Sequence, residues 1–418
     1  MLFRFCLYGF LKNQQYFDPF LFLALRQKGL SFAAIGILIG FRAISVSLTE
    51  IPSGAVADVL GRRRAMIASF AAYIISFLIF GLFDQLAAMF AAMFFFALGT
   101  AFRTGTHKAM IFDWLDRQGR LDEKTETYGH TRAWSKMGSA VSVLIAAAVV
   151  FFTEEYSSVF LLCVVPYSLN IINLYTYPAY LDGAHDNGAN DRVRHPTQII
   201  RTLRSSLWQS LRPGRLRRLI VESMGFEGLY QSSKDYIQPL LKSACLSLPI
   251  MLALAERQRV ALLVGLVYCV LYLLGGAASR GAGRFAVRCG SDEAAGRRLW
   301  QFNLAAFVLM AVGVLFDMLW LAIVAFVLLA VFENLWRPIL ISRAAEEADP
   351  KQTATVLSIE SQAKSLFVAI AAPALGWSVD FTAAHAAAPL DTTVGFLPIA
   401  VLGIVVCALM LAVGRTRS

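Results

Sequence analysis

The chain has 418 residues, 57% of them hydrophobic and 16% charged, with a mean hydropathy of +0.60. Soluble domains are about half apolar and a quarter charged, so a water-soluble globular fold is excluded and a polytopic membrane protein is implied. The formal net charge of +10 does not point to nucleic acid, because the basic clusters fall between apolar runs, where charge sets membrane orientation.

At roughly 20 residues per membrane helix, the length leaves room for about a dozen spans. The first predicted span, about Leu2 to Leu25, is unusually polar, with Lys12, Asn13, Gln14, Gln15 and Asp18 before Pro19. The second, about Leu30 to Ala57, contains Arg42 and Glu50. The third, Ala65 to Phe83, carries no charge and is expected to face lipid. The fourth starts near Gln85, is apolar to Phe102, and then becomes charged through Arg103, His107, Lys108 and Asp113. A polar link from Asp116 to Gly129 leads to the fifth, Tyr128 to Thr153, which enters with Arg132 and Lys136. The sixth covers about Tyr156 to Leu181.

One long connection follows, Asp182 to Arg218, with eight arginines. Within it Ile199, Ile200, Leu203, Leu207 and Leu211 recur at helical spacing among Arg201, Arg204 and Arg212. This pattern predicts an amphipathic helix on the cytoplasmic membrane surface. The connection divides the chain into a six-helix bundle over residues 1–181, a basic linker over 182–218 and a second bundle over 219–418.

The seventh span, about Leu219 to Leu241, is again polar, with Glu222, Glu227, Lys234, Asp235 and Pro239. The eighth is the apolar run Val260 to Ser279. The ninth and tenth share Leu299 to Phe332, broken by Asp317, and the tenth continues through Glu333, Arg337 and Pro338. The eleventh covers about Gln352 to Val379 with Glu360 and Lys364, and the twelfth Thr392 to Val413. With the N-terminus inside, the inner connections hold twenty-three Lys and Arg and the outer ones five. That asymmetry predicts both termini in the cytoplasm. The N-terminus has no charged n-region and no small-residue cleavage site, so an uncleaved first span is expected.

The six cysteines have neither metal-ligand nor CxxC spacing, so no disulfide framework and no metal site are expected. There is no GxSxG, HExxH or phosphate loop ending in Gly-Lys-Ser/Thr, so neither an enzyme nor a bound-nucleotide engine is expected, and no cofactor.

The two halves repeat at a nearly fixed offset. Tyr16-Phe17-Asp18-Pro19-Phe20-Leu21 answers Tyr236-Ile237-Gln238-Pro239-Leu240-Leu241, Lys108-Ala109 answers Arg337-Pro338, and Arg132 with Lys136 answers Glu360 with Lys364. Between the second and third spans stands Gly54-x-x-x-Asp58-x-x-Gly61-Arg62, answered by Gly276-x-x-x-Arg280-x-x-Gly283-Arg284. The first of these resembles the signature loop between helices 2 and 3 of the major facilitator superfamily of secondary transporters, and the duplicated six-helix plan resembles that family over the whole chain. The resemblance implies an all-α fold of twelve transmembrane helices in two pseudo-symmetric bundles. It implies transport of a small solute by rocking of the halves about a central site.

An ionised side chain in a membrane is costly unless it faces a cavity or a partner. Lys12, Asp18, Arg42, Glu227, Lys234 and Asp235 fall well inside their predicted helices and form a candidate substrate and proton site; interhelical locks are the alternative. Adjacent residues on a helix point apart, so Lys234 and Asp235 are not expected to pair with each other. By the resemblance, Gly54, Asp58, Gly61 and Arg62 form an inner gate with Asp113, Arg132, Lys136, Glu360 and Lys364. In that gate Asp113 meets the arginines of the loop and Asp58 meets the start of the eleventh span. His107, beside Arg103 and Lys108, is expected to stay neutral and hydrogen-bond.

The expectation is a monomeric, proton-coupled secondary transporter of a bacterial inner membrane, in the manner of drug or metabolite exporters working as antiporters. Its partners would be a small-molecule substrate, the proton and the lipid bilayer, with no nucleic acid. The surplus of cavity cations equally permits an uptake carrier for an organic anion. A receptor or assembly factor on a transporter fold is the remaining alternative.

Overall fold

The computed structural model describes residues 1–104, 106–182, 214–247, 252–347, 353–385 and 393–415. The amphipathic segment expected around residues 199–211 lies outside them. The described residues are helices and short connections. They comprise α1 (Leu2–Lys12), α2 (Leu21–Gln27), α3 (Phe32–Leu60), α4 (Arg62–Leu82), α5 (Leu86–Arg103), α6 (Thr106–Arg117), α7 (Lys124–Thr153) and α8 (Ser158–Tyr175). After the long connection come α9 (Arg215–Ser233), α10 (Ile237–Ser247), α11 (Glu256–Cys289), α12 (Asp292–Leu315), α13 (Leu319–Glu347), α14 (Thr353–His385) and α15 (Leu397–Arg415).

Ten segments among the described residues are long and apolar enough to cross a membrane. The other two spans, the first and the seventh, are interrupted. The first was expected to be one helix over residues 2–25; it is α1, a 3-10 turn at Asp18–Phe20, and α2. The seventh is α9, a 3-10 turn at Lys234–Tyr236, and α10. Pro19 sits in the 3-10 turn of the first break and Pro239 in the first turn of α10, where a missing N–H is tolerated. Asn13, Gln14, Gln15 and Asp18 of the first span and Lys234 and Asp235 of the seventh sit at these breaks, whereas Glu222 and Glu227 lie within α9.

In the first half, α8 hydrogen-bonds along α1 and reaches the Lys12 carbonyl at the break. Its Asn173 and Asn170 amides and Tyr167 hydroxyl lie along one face and donate to the carbonyls of Arg4 (3.0 Å), Tyr8 (3.3 Å) and Lys12 (3.3 Å). On the other side α1 packs against α7 through glycines. A Cβ on Gly9 would sit 2.6 Å from Ser135 Oγ, and one on Gly138 would sit 2.5 Å from the Phe10 carbonyl oxygen. Gln14 reaches across the same seam and donates to the Gly138 carbonyl at 3.1 Å.

Two other expectations change. The third span, α4, is not simply lipid-facing. Phe70, Tyr73, Phe77 and Phe80 are buried against neighbouring helices, and Ser76 donates to the Ala92 carbonyl of α5 at 2.8 Å. The second signature loop is no loop: Gly276, Arg280, Gly283 and Arg284 all lie within the continuous helix α11. The turn comes later, at Gly290, whose φ of 90° matches the 92° of Gly61. A glycine costs a helix only about 1 kcal/mol, so the Gly-x6-Gly spacing could not mark a helix end. Positive φ, which L side chains resist, does mark it.

By contact grouping the chain forms two compact units. One comprises residues 1–30, 41–190 and 251–269, and the other 31–40, 191–250 and 270–418. The first turns of α3 thus pack in the second unit and those of α11 in the first. Within the second unit, for example, Asp380 accepts from the backbone N–H groups of Phe32 (3.2 Å) and Ala33 (2.7 Å), so that the α3 N-terminus is capped by a carboxylate of α14.

Candidate functional site

Each unit holds a charged cluster inside it, and the two differ in sign. In the first unit α1, α5, α6 and α7 line an open cavity of about 450 Å³, with Lys108, Arg132 and Lys136 exposed at it. Five basic side chains line it (Lys12, Arg103, Lys108, Arg132 and Lys136), and among the described residues no Asp or Glu does. Its neutral wall is aromatic and hydroxylic: Phe5, Tyr8, His107 and Tyr128, with Thr131, Ser135 and Ser139. Helical periodicity explains the convergence. Arg132 and Lys136 lie four residues apart, as do Thr131, Ser135 and Ser139, so α7 presents two adjacent rows to α1.

The aromatic residues order the cations. Lys108 Nζ lies 5.5 Å from the centroid of the Tyr128 ring, and the Arg103 guanidinium 6.0 Å from that of Tyr73, both within cation–π reach. His107 stacks on Tyr8 with ring centroids 3.7 Å apart, and its Nε2 is 3.3 Å from the Tyr177 hydroxyl.

In the second unit the cluster is acidic. Glu227 on α9 binds Arg337 of α13 at 2.7 Å with one oxygen and Lys364 of α14 at 2.8 Å with the other. Glu360 accepts from Arg337 at 3.0 Å and from Ser223 Oγ at 2.7 Å. A third carboxylate, Glu333, has an oxygen sealed from solvent without a hydrogen-bond partner. Beside it lies a four-membered ion network. Arg218 holds Glu222 (2.7 Å) and Glu293 (3.0 Å), and buried Arg343 holds the same two carboxylates at 2.9 and 2.6 Å.

These clusters regroup the residues singled out from sequence. Lys12 was set apart as a substrate residue and Arg132 and Lys136 as gate residues, yet all three line one cavity. Glu227 was likewise separated from Glu360 and Lys364, yet it is bonded to Lys364 and shares Arg337 with Glu360. Depth along a helix had been read as function, whereas rotation about the helix axis decides who meets whom. Arg42 is elsewhere, over the Phe96 ring at 5.6 Å in a small aromatic pocket with Phe17 and Phe77. Asp18 is half-buried in the 3-10 turn of the first span, outside the cavity lining.

Lys234 and Asp235 do pair, at 3.2 Å, contrary to expectation. They stand in a 3-10 turn at a helix break, where the rule for adjacent residues on an α-helix does not apply. Asp113 faces Arg117 of its own helix at 3.6 Å, and Arg63 of the signature loop donates to the Tyr177 carbonyl at 2.9 Å. Gly61, with a φ of 92°, makes the turn before Arg62. The surroundings of Gly54 and the side chain of Asp58 lie outside the described residues.

Sequence reasoning missed Arg343, which was counted among loop cations, and the α7 hydroxyls. The spacing of Thr131, Ser135 and Ser139 was the available signal for the latter.

No curated protein matches this chain. Among solved structures it is similar to the nucleoside transporter NupG, with a TM-score of 0.77 at 14% identity, covering 98% of this chain and 99% of that one. It is similar also to a POT family transporter in complex with 5-aminolevulinic acid (TM-score 0.72, 15% identity, 99% and 96% covered). A D-xylose-proton symporter gives 0.69 at 12% identity, with 98% and 96% covered. At such identities these likenesses speak for the fold alone. A family model matches residues 5–373, nearly the whole chain. The protein is therefore a multi-pass membrane transporter, not an enzyme, and belongs to the Major Facilitator Superfamily.

Proposed function

We propose that the chain is a secondary active transporter of a small organic anion, working by alternating access with the proton as coupling ion. The observation that carries this reading is the cavity of the first unit, with five basic side chains and no acidic one. Cations gathered without counter-charge are unfavourable in a membrane protein, and an anionic solute supplies the missing charge. A cation-lined wall repels the lipophilic cations typical of drug export, so the anion reading stands ahead of the drug-exporter reading. For coupling, three carboxylates of the second unit face two cations, which leaves one negative charge over. Glu333, with its orphaned oxygen, is the place for a proton that cancels it. The charge bias of the connections supports cytoplasmic termini in a bacterial inner membrane.

The test is ligand binding to the purified chain. A panel of small carboxylates, phosphates, neutral solutes and cations is screened by thermal shift, since a ligand that binds the folded state raises its apparent stability. At least one anion should raise the Tm, and the double variant R132Q/K136Q should bind it at least about tenfold more weakly, a loss of ~1.4 kcal/mol. Equal binding by wild type and double variant would sink the assignment.

A further inference from the structure

The neutral polar groups of the cavity carry information that its cations do not. Thr131 donates its hydroxyl proton to the Tyr128 carbonyl at 2.8 Å, Ser135 to Thr131 at 2.9 Å, and Ser139 to Ser135 at 3.2 Å. Asn13 commits an amide proton in the same way, to the Gly9 carbonyl at 2.6 Å. A hydroxyl has one proton and two lone pairs, and an amide oxygen has two lone pairs. With the hydroxyl protons held by the helix backbone, the hydroxyl row of α7 presents oxygen lone pairs to the cavity. Spaced four residues apart, these oxygens form a row about 12 Å long, at 1.5 Å per residue over two helical turns. Hydrogen-bond donation into the cavity is left to the cations, the Tyr8 and Tyr128 hydroxyls and the second amide proton of Asn13.

The two sets ask for different partners. Five basic side chains call for negative charge; the row of acceptors calls for hydrogens that a ligand donates. An ammonium group could donate them, but the surrounding cations repel it. Uncharged hydroxyl groups donate without that cost. An acceptor row that a ligand covers without supplying donors would cost affinity, because unpaired polar groups forfeit their hydration.

Resting on the reading of this cavity as an anion site, we infer that its ligand is a polyhydroxylated organic anion. A carboxylate or phosphate head would lie against Arg103, Arg132 and Lys136, and a hydroxylated body along Thr131, Ser135 and Ser139. The volume of about 450 Å³ falls within the usual range for small-molecule sites, roughly 300–1,000 Å³, and accommodates a hexose-sized body with its head group.

Isothermal titration of the purified full-length chain with five probes tests this. Gluconate is compared with hexanoate, glucose 6-phosphate with butyl phosphate, and glucose serves as the neutral control. The hydroxylated member of at least one pair should bind about tenfold or more tightly than its hydroxyl-free counterpart, the worth of one or two net hydrogen bonds, and glucose should not bind measurably. Which pair responds tells whether the head is a carboxylate or a phosphate. In S135A/S139A, and separately in T131V, the ratio within that pair should fall toward one. If the anions bind without regard to their hydroxyls, or if the ratio survives both variants, this inference is overturned while the anion site stands. Glucose binding as tightly as the anions, or no binding by any anion, overturns the anion site and this inference with it. The wild-type comparison decides the matter even if a variant fails to fold.

Discussion

Glu333 is the side chain on which the coupling reading turns. Its neighbours Glu227 and Glu360 each hold cations, Glu227 bridging Arg337 and Lys364 and Glu360 accepting from Arg337. Glu333 keeps a solvent-sealed oxygen with no donor. An isolated carboxylate in such a place costs several kcal/mol as an anion, whereas a protonated one does not. The variant E333Q, close in shape and neutral, mimics the protonated form. In proteoliposomes it should abolish accumulation driven by a pH gradient while exchange of labelled for unlabelled solute persists. Undiminished gradient-driven accumulation would remove Glu333 from the coupling step. The sequence did show Glu333 beside Arg337, but at the end of a long apolar run nothing indicated that its partners would come from α9 and α14.

Among the elements, α1 is held closely on two sides. It stops at Lys12, its carbonyls are taken by Tyr167, Asn170 and Asn173 of α8, and its other face lies against glycines of the α1–α7 seam. Close approach matters because Arg132 and Lys136 of α7 and Lys12 of α1 must reach the same cavity. A side chain at Gly138 would meet the Phe10 backbone rather than a flexible side chain, so the helices themselves would have to part. The variant G138V should cost about 1–3 kcal/mol by overpacking, seen as a lower Tm in detergent. It should also weaken anion binding by moving α1 away from α7. An unchanged Tm and affinity would mean that the seam yields more easily than its geometry indicates. The break itself was announced by Pro19 and the polar run before it, yet the span was read as continuous. Local composition shows that something disturbs a helix, but not whether a neighbour stands ready to satisfy the opened backbone.

For the molecule as a whole, we propose cytoplasmic termini on the strength of the charge count, twenty-three inner against five outer Lys and Arg in that orientation. Some of these residues turn out to lie within helices: Arg280, Arg284 and Arg288 in α11, Arg297 and Arg298 in α12, and Arg343 in α13. Arg343 is buried in an ion network and should be removed from the tally; the bias survives its loss. A green fluorescent protein fused after residue 418 should fluoresce in bacterial cells and an alkaline phosphatase fusion at the same place should be inactive. The reverse pair of results would invert the topology.

Composition and periodicity determined that this chain is a polytopic helical membrane protein and where most spans lie, while the glycine–arginine motif and the internal repeat carried the resemblance to the family whose model matches it. These properties are local along the chain, or are sums over it. The tertiary structure alone decided which charges share a cavity, that one unit is cationic inside and the other acidic, and that the second glycine–arginine motif lies in a helix. The physical reason is that a lipid-facing surface and a packed surface are both apolar. The hydrophobic pattern therefore does not fix how each helix is rotated about its axis, and that rotation determines which side chains meet.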